Sequence, residues 1–180
     1  MRAPGGGAPG AVIAVGPRPK VKMDKLTRQK LIDQYKDGYR VVADALAGAT
    51  DEELDARPAP AKWTAREIAH HLADSEMTSA IRLRHLIAVD NPQIVGYDQD
   101  EFARRLYYDR PIDASIEAFK AARRTTAEIL ERMSETEWAR EGTHSEHGRY
   151  TISRWLEIYA AHAHNHAEQI RIARGSARKK

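Results

Sequence analysis

Three of the eight histidines fall within five residues, His162-Ala-His-Asn-His166. Side chains four apart on a helix lie about 40° apart around its axis, so His162 and His166 project from one face. His164, about 200° from His162, is expected to face solvent. The face shared by His162 and His166 also carries Tyr159, Ala163 and Ile170, which makes it the side that turns to a core. Two imidazoles there each bring a polar nitrogen into apolar surroundings and need a partner. Neutral imidazole is a common ligand of divalent metals, and the i, i+4 spacing aims both rings at one ion. No glutamate follows His162, so the metalloprotease helix with its built-in base is absent and a third ligand must come from another segment.

The candidates are His70 and His71. On the inward stripe of Ile68, Leu72, Ser75, Ser79 and Leu83, His71 lies near the centre and His70 on the flank, so His71 is the expected third ligand. Its height agrees. His71 lies about 10 Å into its helix, and His166 about 10 Å from the end of the last one, at 1.5 Å per residue. The two share a level only if these helices run antiparallel. Three neutral ligands leave a divalent ion its full charge and an open position, the pattern of catalytic sites. Such an ion lowers the pKa of bound water toward ~7, and it can equally hold a thiolate or polarise a carbonyl. Asp74 and Gln169, each one turn beyond a ligand, are the nearest groups able to orient the rings. His85 reads as a surface residue, and His144 and His147 as residues of a polar loop. Glu67-Ile-Ala-His70 matches one half of a di-iron carboxylate site, but its only counterpart, Glu141-Gly-Thr-His144, falls in that glycine-containing loop.

Four long segments of helical period must position these side chains. The first runs from about Asp24 to Ala47, with Leu31, Tyr35, Tyr39, Val42 and Leu46 inward. The second runs from Ala65 to about Val89, opened by a capping box at Thr64 and Glu67. The third follows Asp113 as N-cap, with Ile116, Phe119, Thr126, Ile129 or Leu130 and Met133 inward. The fourth follows Thr151. Further capping boxes at Thr50–Glu53 and Ser134–Glu137 mark short turns, and a short helix is expected near Asp100–Leu106. Nothing alternates with period two over a useful length, which predicts an all-α four-helix bundle. The long connection over residues 90–113 can cross the bundle, so loop length and ligand height both point to up-down-down-up topology.

The chain has 180 residues, 42% of them hydrophobic and none of them cysteine, enough for one compact core and without thiolate chemistry of its own. The net charge of +3 resides in the ends: residues 1–22 and 174–180 each carry four basic residues and no acid, leaving −5 on residues 23–173. A folded part of that sign does not attract nucleic acid. Residues 1–22 hold five of the eleven glycines and four of the eight prolines and are expected to be a disordered extension, with Met23 a candidate start of translation. Residues 23–174 form the bundle, and 175–180 a basic tail beginning at Gly175 as helix cap. No segment reaches the roughly 20 apolar residues of a membrane span, and the expected compartment is the cytoplasm.

The stretches WTAREIAHHLADSE (Trp63 to Glu76), HSEHGRY (His144 to Tyr150) and YAAHAHNHAEQI (Tyr159 to Ile170), with Tyr97-Asp98 between them, resemble the DinB/YfiT-like superfamily of metalloenzymes, closest to its YfiT-type branch. The resemblance covers roughly residues 26–173. Ser145 stands where family sequences often have proline. What the resemblance implies is an up-down-down-up four-helix bundle and a divalent metal, nickel or zinc, on His71, His162 and His166. It further implies a metal-dependent hydrolase, or a transferase joining low-molecular-weight thiols to electrophiles, and frequently a homodimer. A small-molecule substrate is expected, with neither nucleic acid nor membrane as partner; the alternative is a non-catalytic, stress-associated metal-binding interaction module.

Overall fold

A computed structural model of the chain describes residues 23–177. The reading of residues 1–22 as a disordered extension lies outside them. Four long helices carry the fold: α1 (Lys25–Leu46), α3 (Ala65–Ala88), α5 (Asp113–Leu130) and α7 (Ile152–Ala177). Short helices α2 (Asp51–Asp55), α4 (Gln99–Arg105) and α6 (Glu135–Trp138) sit in the connections, with strands β1 (Gln93–Ile94), β2 (Glu141–His144) and β3 (Gly148–Thr151). Among the described residues, no helix is long and apolar enough to cross a membrane.

The starts of the helices follow side-chain chemistry. Asp24 accepts the backbone N–H of Thr27 and opens α1, and Thr50 accepts that of Glu53 to open α2. Reciprocal capping boxes at Thr64–Glu67 and Ser134–Glu137 satisfy two otherwise orphaned donors each. Thr151 Oγ1 accepts the N–H of Arg154 at the head of α7. The third long helix differs from expectation: Ile112 takes the cap position without a side-chain bond, and Asp113 is the first helical residue, where its charge favours the helix dipole. On α1, Tyr35 and Val42 of the expected stripe are buried together with Ile32 and Ala45, while Leu31, Tyr39 and Leu46 pack partly buried at its edges.

Cross-contacts fix the helix directions. Gln34 meets His164 and Ala45 meets Arg174, so α1 and α7 are parallel. His70 meets Ser115 and Glu76 meets Arg123, so α3 and α5 are parallel. His71 lies against His162 while Ser79 accepts the Trp155 indole N–H, which makes α3 and α7 antiparallel. The order is up-down-down-up, as loop length and ligand height required.

The fold is not purely helical. Residues 141–151, read from sequence as a polar loop, form the β2–β3 hairpin, and β1 adds to β2 in parallel to give a three-stranded sheet. The strands of two to four residues are too short to display a period. Gly142 permits the β1 approach, since a Cβ there would lie 2.5 Å from the Pro92 carbonyl oxygen. At the other end α7 continues through Gly175 to Ala177, so the expected boundary at residue 175 lies inside the helix. Nothing stands within 4 Å of a Cβ at Gly175, so no close packing there requires the glycine.

The core divides into two apolar clusters. One gathers Tyr35, Leu83, Leu86, Leu130, Trp155 and Leu156, and the other gathers Val42, Ile68, Leu72, Phe119, Ala163 and Ile170. At the level where they meet stand buried polar side chains: Glu76 from α3 and Arg123 from α5, with Ser79 and Thr126. His162 extends the same region on α7.

Candidate metal centre

His71 stands seven residues past the Thr64 cap on the buried side of α3 and is 2% exposed. His162 and His166 rise from α7, half-buried as residues, with their Nε2 atoms turned inward. The Nε2 atoms of His71 and His162 are 3.3 Å apart, and those of His162 and His166 3.1 Å. Ligand atoms of all three lie within 4.8 Å of one another. Nitrogens on a tetrahedral zinc at about 2.05 Å would be separated by about 3.3 Å, so the spacing suits a common ion.

The proton count favours the same reading. Gln169 Oε1 lies 2.8 Å from His166 Nδ1, which places the ring proton on Nδ1 and leaves Nε2 as a bare lone pair. A proton on His162 Nε2 could then serve His166 or His71 but not both, so three neutral rings cannot satisfy both short contacts with hydrogen bonds alone. Burial pushes the His71 imidazole down to about 3, with His166 beside it adding to the effect. Burial takes His166 to about 4 against the upward pull of Gln169. His162 is held well below its usual range, first by burial and then by the other two rings. All three therefore present unprotonated nitrogens at neutral pH. The cluster is a buried ligand set consistent with a divalent metal.

Around it, expectation and structure part in places. Gln169 orients His166 as its spacing suggested. Asp74 does not orient His71: its Oδ2 accepts the Tyr108 hydroxyl at 2.7 Å, and His71 Nδ1 is buried without a partner. The Trp63 ring packs on His71 instead, at 4.7 Å between centroids. His70 is fully buried and both its nitrogens are engaged, Nε2–H donating to the Arg110 carbonyl at 2.9 Å and Nδ1 accepting from Ser115 Oγ at 2.8 Å. It therefore ties α3 to the head of α5. Glu67 serves the cap and Arg57, which removes the Glu67–His70 di-iron reading. His164 is not simply solvated, since its Nε2 lies 3.1 Å from the Gln34 carbonyl of α1. His144 is 5% exposed on β2, stacked with His147 at 4.8 Å, while His85 is exposed.

A family model described as the DinB superfamily matches residues 34–170. This chain belongs to the DinB superfamily. It is 33% identical over 139 residues to a "Putative metal-dependent hydrolase" of Oceanobacillus iheyensis, covering 77% of this chain and 81% of the relative. A protein of the same name from Bacillus mycoides is 25% identical over 141 residues, covering 78% and 82%. Among solved structures, YfiT from Bacillus subtilis, described as "a probable metal-dependent hydrolase with an unusual four-helix bundle topology", superposes with a TM-score of 0.79 at 24% identity over 86% of this chain and 89% of that one. The α1, α3, α5 and α7 core has that bundle fold, and in this chain short helices and a three-stranded sheet occupy its connections.

The DinB-superfamily core holds one polar assembly that the sequence reading did not single out. Arg123, 2% exposed, donates Nη1 to Glu76 at 2.5 Å, Nε to the Tyr35 carbonyl at 2.6 Å and Nη2 to the Tyr159 carbonyl at 2.9 Å. Tyr35 donates its hydroxyl to the other oxygen of Glu76. One guanidinium thus joins all four long helices, five residues from His71 along α3 and three from His162 along α7. A signal was available: Arg123 falls at the helical step between the inward residues Phe119 and Thr126, and Glu76 at the step after Leu72.

Proposed function

We propose that His71, His162 and His166 hold one divalent ion, zinc or nickel, and that the site is the centre of a metal-dependent enzyme acting with water or a low-molecular-weight thiol as nucleophile. The spacing of 3.1 and 3.3 Å among the Nε2 atoms of three rings that burial keeps neutral carries the reading. The ion, when bound, would lower the pKa of a coordinated water or thiol toward neutrality. The protein's own part is to supply three uncharged ligands, which leave the site its full positive charge, and to fix their orientation. Gln169 holds the His166 ring through Nδ1–H, and Trp63 packs against His71. The metal-dependent hydrolase names carried by the relatives support the reading, and the YfiT likeness supports the fold that holds the ligands.

The experiment is a turnover screen of zinc- and nickel-loaded protein against paired thiols and electrophiles and against esters and amides. Turnover that disappears in His162→Ala together with the metal is the expected result. Full metal loading with no turnover in either panel would replace the enzyme by a non-catalytic metal-binding module.

A further inference from the structure

Arg82 has the setting of an anion receptor with no anion of the protein's own. The buried arginines are matched to carboxylates, Arg28 to Glu135, Arg66 to Asp51 and Asp55 and Arg123 to Glu76. Among the described residues, half-buried Arg82, Arg84 and Arg110 have no such pair, and of these three Arg82 alone leaves a buried guanidinium nitrogen without a partner. Arg82 has no carboxylate within ion-pair distance among the described residues. Its Nε is buried without a hydrogen-bond partner, its Nη1 reaches only the Tyr159 hydroxyl at 3.4 Å, and its Nη2 donates to the Val95 carbonyl. Its guanidinium carbon lies 5.7 Å from the centroid of the Tyr97 ring. Of the nearby acids, Asp74 accepts from Tyr108, and the exposed Glu146 lies over Gly96 with His147 as its neighbour at 3.8 Å.

A second donor stands on the neighbouring strand, where His144 pairs with Ile94, the residue before the Val95 carbonyl that Arg82 holds. The backbone N–H of Glu146 donates to His144 Nδ1 at 3.1 Å, so the neutral ring carries its proton on Nε2. The guanidinium charge acts on His144, holding its pKa down after the larger effect of burial.

Position relates this group to the three histidines. Arg82 follows His71 by eleven residues, three full turns, which returns it to the same face of α3 roughly 16 Å along the axis. Helical side chains lean toward the N-terminus, which brings the guanidinium back to roughly 10 Å from the His71 level. Tyr159 bridges the interval, its ring 5.8 Å from that of His162 and its hydroxyl on Arg82.

We propose that Arg82, with His144 beside it, binds a carboxylate carried by the substrate about 10 Å from the atom that meets the metal. This deepens the reading of the three-histidine site and rests on it. The carboxylate belongs either to the thiol or to its electrophilic partner, and binding measurements on metal-loaded protein separate the two. One pair of probes is glutathione and its diethyl ester; the other, without a thiol, is 4-phenylbutyrate and its amide.

In the wild type the acid binds at least about 10-fold more tightly than its neutral counterpart, as a charge-assisted hydrogen bond to the guanidinium provides. Preference within the glutathione pair assigns the carboxylate to the thiol; preference within the phenylbutyrate pair alone assigns it to the acceptor. Arg82→Gln reduces the ratio to near unity while metal content and the helical circular dichroism stay unchanged, and Arg82→Lys retains part of it. A purely structural Arg82, holding Val95 in place, would weaken acid and neutral probe alike. Equal binding of acid and neutral probe in both pairs, or a preference that survives Arg82→Gln, overturns the proposal. Protein that takes up no metal yet keeps an Arg82-dependent preference would overturn the metal reading and leave the anion site standing.

Discussion

Replacing Glu76 by Gln removes the only carboxylate that, among the described residues, faces a guanidinium that is 2% exposed. Arg123 would keep the Tyr35 and Tyr159 carbonyls as partners, but its charge would be left in the core without compensation. Breaking one side of such a pair costs about 3–5 kcal/mol. At about 2–4 °C per kcal/mol for a chain of this size, the midpoint of thermal unfolding should drop by roughly 6–20 °C. The assay is thermal and urea unfolding of metal-free protein followed by circular dichroism, so that metal binding does not contribute to the apparent stability. The control is the double substitution Glu76→Leu with Arg123→Met, which removes both charges and keeps most of the volume. It should lie within about 1 kcal/mol of the wild type or above it, because the pair's mutual attraction is largely offset by the desolvation of two ions. A loss below about 1 kcal/mol for Glu76→Gln, or a double variant less stable than the single one, would refute this account of the buried pair.

The same buried pair and the three histidines set two more measurable outcomes. Gly38→Ala places a Cβ 2.5 Å from Arg123 Nη2 and 2.7 Å from its Cζ and Nε, so it should destabilise the protein although alanine favours a helix interior by about 1 kcal/mol. In an Arg123→Met background the sign should reverse, and urea midpoints of the four proteins test the reversal. The metal-free protein should also be acid-labile. His71 and His166 fall to about 3 and about 4 in the fold, against about 6.5 in the unfolded chain, so the unfolded state alone takes up these protons as pH drops from about 6.5. Stability is therefore fully present above that pH and is lost progressively below it. Urea midpoints between pH 7 and pH 5 should fall more steeply in the wild type than in His71→Leu, and equal slopes would argue against depressed imidazoles.

Much of this was legible in the sequence for identifiable reasons. The helices are long enough to repeat their period several times, and caps such as Thr64–Glu67 and Ser134–Glu137 announce their starts by chemistry local to four residues. The meeting of His71 with His162 and His166 could be read because helical rise converts sequence position into height, and height selected the antiparallel arrangement of α3 and α7. What escaped depends on contacts distant in sequence. The hairpin is held by pairing to β1 through Thr143 and Ser145, whose backbone N–H groups donate to Pro92 and Ile94, and its strands are too short to alternate visibly. Asp74 has the right spacing to orient His71, yet Tyr108, 34 residues away, occupies it. Arg123 is not legible from periodicity because a charge in an inward position is an exception whose partner, Glu76, lies 47 residues away.

The most direct test of the three-histidine site is the metal content of protein purified without an affinity tag, measured for the wild type and for single alanine substitutions. One divalent ion per chain is expected in the wild type, close to none in His71→Ala, His162→Ala and His166→Ala, and a full complement in His70→Ala and His164→Ala, whose rings bond to protein carbonyls instead. Wild-type protein that takes up no ion, or a His71→Ala variant that keeps its full share, would contradict the account.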